Sequence, residues 1–209
     1  FWPYGLLAWL PKLVMPMGTR YVVFAGTTVN YAADEAHIIK ALANELGRHR
    51  ETQDVVVLYR PHPRNRGGMV HPRVLMDPRW KGGWSNDPAD IPWIRQITEG
   101  ALCTISAFST VFVESALSST PSIVIGFGDS AHGTGKSIDH LAFDHMAEVV
   151  GKPGVRVEST MDGLIAAVLE VASGQWPTQK ERQELRKWAL EIAAVDTDPR
   201  ERLIAWLTA

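Results

Sequence analysis

The chain has 209 residues, a mass of 23.1 kDa, 45% hydrophobic residues and 21% charged residues. This length predicts one domain with appendages, and the composition excludes a disordered or fibrous chain. The formal net charge of -2 argues against a general nucleic-acid-binding protein, because such domains are usually strongly basic. The apolar runs are far shorter than the ~20 residues that cross a bilayer. The one cysteine, Cys103, permits no internal disulfide and is expected to be a buried thiol in a cytoplasmic protein.

Residues 1–19 are apolar and punctuated by prolines, and they begin with FWPYGLLAWLPKLVMPM. The stretch lacks the basic start of a signal peptide, and the chain begins with Phe1 rather than Met. We therefore expect 1–19 to be an interdomain segment of a longer protein. Its apolar face would cover another domain or, as an open alternative, a membrane surface.

Strands and helices are predicted to alternate over residues 20–175. Apolar runs predict strands at 21–25, 54–59, 102–105, 122–125 and 155–157, with a further short strand at 74–76 inside a long loop. Apolar residues at helical spacing predict helices at 34–47, 92–99, 111–117, 138–149 and 161–173. This alternation predicts an α/β fold with a Rossmann-like, doubly wound parallel sheet. Residues 176–209 are predicted to form a C-terminal helical segment, with one or two amphipathic helices over 178–195 and 199–208.

Polar or glycine-rich residues follow four of the predicted strands. These groups are Gly26-Thr27, the segment from Arg60 to Arg64, the turn 106–110 and the loop that starts at Gly126. In an open parallel sheet, ligands bind outside the carboxyl ends of the strands. We therefore expect the four groups to lie along one edge and to share a site.

The turn 106–110 is the sharpest of these groups. Ser106, Ser109 and Thr110 lie between a strand and a helix, where hydroxyls and free backbone N–H groups suit a phosphate. Glu114 follows one helical turn later, and its carboxylate suits the diol of a ribose. The alternative is that Ser106 or Ser109 only caps the helix and that Glu114 is a solvated helix residue.

His62 lies between two prolines, which hold the backbone extended and project the imidazole at a strand end. Such a histidine can donate to a phosphate or transfer a proton, which makes it the candidate catalytic residue; the alternative is an ordinary turn histidine. Residues 60 to 81 contain six cationic side chains, Arg60 and Arg64 among them, and one acidic side chain, Asp77. This excess predicts a local positive field for a nucleotide diphosphate, or alternatively a solvated charged loop.

Two other sequence patterns do not predict a nucleotide-binding or metal-binding site. Residues 130–137, SAHGTGKS, have serine where a P-loop needs its first glycine. His132, His140 and His145 are spaced so that they do not share a helix face, and no metal is expected.

Three segments together resemble a known family. VVVLYRPHPR resembles the strand and [KR]-x-H-P motif of GT-B type surface-polysaccharide glycosyltransferases. These include capsule and lipopolysaccharide enzymes, bacterial sialyl- and polysialyltransferases, and the CDP-glycerol polymerases of teichoic acid synthesis. ALCTISAFSTVFVESALSSTPSIVIGFG resembles their second signature, and GVRVESTMDGLIAAVLEVASG resembles the strand and helix that follow it. The resemblance extends from about residue 20 to 175.

The resemblance implies the C-terminal, donor-binding half of a GT-B fold. It implies that His62 and the hydroxyl residues Ser106, Ser109 and Thr110 hold the donor phosphates, and that Glu114 holds the ribose. The donor, linked to CMP, CDP or UDP, is a substrate, so no cofactor is expected. The family's N-terminal half, which binds the acceptor and usually supplies the catalytic base, has no counterpart in this sequence. A missing N-terminal half or partner domain is therefore expected.

The leading hypothesis is transfer of a sugar or polyol phosphate to a glycan acceptor in bacterial surface-polysaccharide synthesis. It places the protein in the cytoplasm, with peripheral association at the inner face of the plasma membrane left open. One alternative is a sugar-nucleotide epimerase or hydrolase, which needs a further carboxylate or histidine pair near the pyrophosphate. Another is a non-catalytic interaction module or degenerate transferase half, suggested by the apolar N-terminal residues Phe1, Trp2, Leu6, Leu7 and Trp9.

Overall fold

The computed structural model of the chain describes residues 18–30, 32, 34–64, 69–80, 90–107, 109–128 and 144–193. The strands in these ranges are β1 (Arg20–Ala25), β2 (Val55–Arg60), β3 (Val74–Met76), β4 (Thr104–Ser106), β5 (Ser122–Ile125) and β6 (Val155–Glu158). The helices are α1 (Ala36–Arg48), α2 (Asp90–Glu99), α3 (Val111–Leu117), α4 (Asp144–Ala147), α5 (Met161–Ala172) and α6 (Gln179–Ala193). Residues 1–17, the P-loop-like segment 130–137, His132, His140 and the helix predicted at 199–208 lie outside the described residues.

The strands form one parallel sheet in the order β3-β2-β1-β4-β5-β6. From β1 the chain moves outward to β2 and β3, and it then returns to the other side of β1 to form β4. This confirms the predicted Rossmann-like sheet. The strand order reverses between β1 and β4, and ligands of such sheets bind in the crevice at this switch point.

The central strands are buried on both faces, which is why they appear in the sequence as continuous apolar runs. On one face, α1 and α5 cover Val22 and Phe24 of β1. The residues that fill this layer, all essentially inaccessible to solvent, include Ile38, Ile39, Leu42, Leu46, Leu164 and Val168. Each such side chain contributes roughly 1.5–3 kcal/mol to folding when it leaves water.

The opposite face is covered by α2, α3, α4 and α6. Ile97 of α2 packs on Val23 and Leu58, and Phe112 of α3 packs near Ala25 at the end of β1. Helix α6 lies against α3, where Leu185 and Ala189 are fully buried beside Ala116. Within the described ranges, no helix combines the length and the apolar character that a membrane span needs.

Several element boundaries differ from the sequence-based predictions by one or two residues. Helix α1 begins at Ala36 and ends at Arg48, one residue beyond Gly47, and the hydroxyl of Thr52 donates to the carbonyl of Leu46 at 2.8 Å near that end. Ser106 is the last residue of β4 rather than the first residue of a turn. The expected burial of Cys103 is confirmed, and burial raises the pKa of its thiol to about 12.

Candidate functional site

The backbone segments that follow β1 and β2 lie in close contact at Gly26. Its N–H donates to the carbonyl of Arg60 at 2.8 Å. A Cβ atom at Gly26 would lie 3.0 Å from the backbone nitrogen of His62 and 3.2 Å from the Cα of Pro61. The glycine therefore lets the turn after β1 contact the His-Pro motif, as expected for two groups that follow strands at the same edge of the sheet.

His62 is half-buried and held in one tautomer. Its Nδ1 accepts a hydrogen bond from the backbone N–H of Arg64 at 3.1 Å, so that the proton of the neutral ring lies on Nε2. Burial and the charge of Arg64 lower the pKa of His62 below its usual 6.5. The ring is therefore neutral at pH 7, and its Nε2–H can donate to an anion. Arg64 itself is exposed.

Arg60, at the end of β2, is fixed by a buried acid. Its guanidinium donates to one oxygen of Asp77, whose side chain is fully buried. The other oxygen of Asp77 accepts from the backbone N–H of Arg79 and from the indole N–H of Trp93, both at 2.9 Å. Asp77 is a site residue that sequence patterns did not single out, although its position directly after β3 places it at the same sheet edge.

Ser106 faces the α3 side of the sheet. Thr104, two residues earlier on the same face, accepts a 2.7 Å hydrogen bond from Ser115 of α3. The hydroxyl of Ser106 is fully buried and has no hydrogen-bond partner among the described residues. Buried hydroxyls are normally paired, so Ser106 is a group that a ligand can satisfy.

Glu114 is 7% exposed, which rules out the alternative of a solvated helix residue. Its Oε2 is buried without a partner in the described part of the chain. Burial raises the pKa of Glu114 to about 7, and the charge of Arg60 opposes this rise. Glu114 thus lies within electrostatic reach of Arg60, on the α3 side of the strand ends.

The hydroxyl residues of the turn divide into two kinds. The Oγ of Ser109 accepts from the backbone N–H of Val111 at 3.2 Å, so Ser109 does cap the start of α3. Thr110 is exposed, and its side chain makes no capping hydrogen bond. The capping alternative therefore describes Ser109 but not the buried Ser106.

Glu35 is a second buried carboxyl at the edge, and sequence patterns assigned it only to the start of α1. It is 4% exposed, and its Oε2 accepts from the backbone N–H of the fully buried Thr27 at 2.9 Å. Its Oε2 also lies 3.1 Å from the Cβ position at Gly26. Because α1 and α3 cover opposite faces of the sheet, Glu35 and Glu114 flank the end of β1 from its two sides.

The expected field of six cations does not form at one edge. Arg73 lies at the amino end of β2, where its guanidinium donates to the carbonyls of Thr52, Gln53 and Val55. Arg79 is paired with Asp90 at 2.9 Å. The long loop returns along the sheet before β3, which distributes its cations to both edges. Of the described cations in this stretch, Arg60 and Arg64 remain near the crevice, and Arg66 and Lys81 lie outside the described residues.

Solved structures similar to this chain include a glycotransferase, a glycosyltransferase and a sucrose-phosphate synthase. The glycotransferase of kitacinnamycin matches with a TM-score of 0.53 and 16% identity, over 87% of this chain and 42% of its own. CalG4, the calicheamicin glycosyltransferase, matches with a TM-score of 0.53 and 17% identity, over 96% of this chain and 44% of its own. Sucrose-phosphate synthase from Thermosynechococcus elongatus has a TM-score of 0.50 and 14% identity, over 91% of this chain and 47% of its own. No family model and no curated protein sequence matches the chain.

These matches establish the fold. The chain has the Rossmann-like architecture of one half of a GT-B fold, and it spans less than half the length of these solved chains.

Proposed function

We propose that the crevice between β1 and β4 binds the phosphates and ribose of an activated sugar, and that the chain is the donor-binding half of a glycosyltransferase. The observation that carries this proposal is the convergence of unsatisfied buried polar groups at the switch point. Ser106 and Glu114 each bury an oxygen without a partner among the described residues, and the positive charge of Arg60 acts on Glu114. A nucleotide diphosphate supplies both the anion and the hydroxyls that these groups lack.

The chemistry assigned to the site is stabilisation of a leaving group. In glycosyl transfer, an acceptor oxygen attacks the anomeric carbon, and the bond from that carbon to the phosphate oxygen breaks. The nucleotide leaves with the electron pair, so negative charge grows on the phosphate. The Nε2–H of His62, the hydroxyl of Ser106 and the guanidinium of Arg60 are assigned to that charge, with Ser109, Thr110 and the Gly26-Thr27 turn completing the phosphate site. Glu114 is assigned to the ribose diol.

The finer identity is proposed from the resemblance of the His-Pro and Ser/Thr-Glu segments to surface-polysaccharide transferases. On this basis the donor is a CMP-, CDP- or UDP-linked sugar or polyol phosphate, and the acceptor is a bacterial surface glycan. The acceptor site and the catalytic base are proposed to lie in another half or partner domain. The same proposal divides the chain into segment 1–19, donor domain 20–175 and helical segment 176–209. It also places the protein at the cytoplasmic face of the plasma membrane.

The test is calorimetric titration with CMP, CDP, UDP, GDP and ATP. Wild type is expected to bind one pyrimidine nucleotide selectively. The variant His62→Ala is expected to weaken that binding by about 10- to 100-fold, the usual effect of losing a hydrogen bond to a charged group. His71→Ala is the matched control, because His71 also precedes a proline but pairs with Asn44, away from the crevice.

Absence of binding to all five nucleotides would contradict the proposal and would favour the non-catalytic interaction module. Equal losses in His62→Ala and His71→Ala would remove the role assigned to His62.

One observation favours a second candidate, the sugar-nucleotide epimerase or hydrolase. Such an enzyme needs a further carboxyl near the pyrophosphate, and Glu35 supplies one beside Gly26. Product analysis of a nucleotide sugar incubated with the protein and no acceptor distinguishes the two candidates. Epimer formation or hydrolysis that is lost in Glu35→Ala would favour the second.

A further inference from the structure

The β1–α1 turn buries a carboxyl to which the transfer chemistry assigns no role. Glu35 stands at the start of α1, but its side chain makes no capping hydrogen bond to that helix. The neighbouring Asp34 instead accepts from the N–H of Ala36 at 2.8 Å. The carboxyl of Glu35 turns back to the end of β1, where its Oε2 binds the N–H of Thr27. It therefore belongs to the site edge rather than to the helix cap.

The other oxygen of Glu35 is an unsatisfied group at the same place. Oε1 is buried and has no hydrogen-bond partner among the described residues. No described cation forms a salt bridge with Glu35, so that an ionised carboxylate would be buried without a counter-charge, and the N–H of Thr27 would offset only part of that cost. The neutral form is therefore favoured, and a neutral carboxyl has an O–H group with which to donate.

We propose that the neutral carboxyl of Glu35 donates a hydrogen bond from Oε1 to a phosphoryl oxygen of the ligand held at Gly26 and Thr27. This inference rests on the proposed function and adds a ligand-contacting residue to it. An ionised carboxylate at this position would repel the phosphate, whereas the neutral form binds it. The proton stays on Glu35 throughout, because the contact is a hydrogen bond and not a proton transfer.

The surroundings of Glu35 make its titration separable from that of its neighbours. Asp34, on the same turn, is the charged group that acts on Glu35, the backbone of Arg60 and His62 leaves β2 at Gly26, and Glu114 belongs to α3 on the opposite face of the sheet. Burial raises the pKa of Glu35 to about 8, with hydrogen bonds from Thr27 opposing the rise and Asp34 adding to it. The pKa of His62 lies below 6.5 and that of Glu114 is about 7. Above pH 7.5, loss of a proton from Glu35 therefore dominates.

The consequence is a loss of affinity at alkaline pH. Because the ligand binds only the protonated form, affinity falls with the protonated fraction of the free protein. A pKa of about 8 then predicts a loss of about 25-fold between pH 7.5 and 9.5. At pH 9, binding is accompanied by the uptake of about one proton.

The experiment is calorimetry with UDP and with CDP between pH 7.5 and 9.5, in pairs of buffers that differ in ionisation enthalpy. The phosphates of both probes are fully ionised over this range. The variant Glu35→Gln has an amide N–H that donates but does not titrate. It is expected to show a flat pH profile and no proton uptake, and to bind about 30-fold more tightly than wild type at pH 9.5. Glu45→Gln removes a partly exposed carboxyl of the same helix. This control variant is expected to keep the wild-type pH response.

Two results would overturn the inference alone. One is wild-type binding without alkaline weakening or proton uptake, which needs no variant to be observed. The other is a folded Glu35→Gln protein that loses affinity at every pH, which would mean that Glu35 accepts hydrogen bonds as a carboxylate. Failure of wild type to bind UDP, CDP or, measured in the same way, CMP at any pH would instead overturn the proposed function, and this inference with it.

Discussion

Glu35 and Glu114 are similar residues in different electrostatic environments. Glu114 lies near Arg60, whose charge favours the ionised form, and its pKa of about 7 keeps that form accessible at neutral pH. Glu35 has no described cation partner, and its pKa of about 8 keeps it protonated. Where two carboxyls at one site have different pKa values, the one with the higher pKa commonly donates a proton or hydrogen bond and the other acts as an ionised acceptor. Here Glu114 suits acceptance from ribose hydroxyls, and Glu35 suits donation to phosphate.

The role of Glu114 predicts discrimination between ribose and deoxyribose. Wild type is expected to bind UDP or CDP about tenfold more tightly than the 2′-deoxy form, because a charged acceptor loses one hydroxyl partner. The preference should grow as the pH rises through 7, since ionised Glu114 is the stronger acceptor. Competition calorimetry measures it, and Glu114→Gln should abolish it.

The exposed Glu99 of α2 offers a matched control, since Glu99→Gln should leave the preference intact. An equal preference in wild type and Glu114→Gln would remove Glu114 from the ribose site.

At the scale of elements, Asp77 joins β2, β3 and α2 at the edge that carries the site. Asp77 follows β3, holds Arg60 of β2 and accepts from Trp93 of α2. Its backbone N–H also donates to the carbonyl of Tyr59 at 2.8 Å. We expect Asp77 to act as a positioning residue that fixes Arg60 toward Glu114.

A double-mutant cycle tests this role. Asp77→Asn is expected to destabilise the fold by about 1–3 kcal/mol, because it leaves the part-buried Arg60 without its partner, and to weaken nucleotide binding. In the Arg60→Ala background, the same change should cost little further affinity, because its effect on binding acts through Arg60. Calorimetry and denaturant unfolding of the four proteins give the two readouts.

Asp54→Asn is the control for loss of an aspartate, since Asp54 pairs with Arg20 at the other end of the sheet. Fully additive losses of affinity would mean that Asp77 supports the fold without positioning Arg60.

The central elements were predictable because the central strands are buried on both faces and the helices that cover them bury one face. The run VVVLY and the periodic spacing of Ile38, Leu42 and Leu46 follow directly from that burial. The positions of His62, Ser106 and Glu114 were also predictable, since strand ends in a parallel sheet share an edge. Their roles in binding stay predictions.

The remaining site residues carry no local signal. Glu35 is buried only because its carboxyl turns back under the end of β1, and a sequence with Asp-Glu before a helix indicates nothing more than a helix start. Arg73 is the converse case, because sequence reasoning placed it with Arg60. The loop instead carries it to the opposite edge of the sheet, at the amino end of β2. Both outcomes depend on how distant segments pack, which composition and spacing do not encode locally.

At the scale of the whole molecule, the strand order determines where a ligand is expected. The order β3-β2-β1-β4-β5-β6 places the switch point beside Gly26 and Ser106, while Gly126 exits one strand further away. A competing location is a surface groove of about 460 Å³ between α1 and α5, lined by residues such as Ala41, His49 and Ile165. That groove lies in the helical layer and contains none of the predicted site residues.

The most direct test of the central claim is to map where a nucleotide binds. Backbone amide chemical shifts would be followed while the wild-type protein is titrated in turn with CMP, CDP and UDP. We expect the changes to concentrate at residues 26–28, 60–64 and 106–114, on the two sides of the switch point. Changes concentrated around Ala41, His49 and Ile165, or no changes at all, would contradict it.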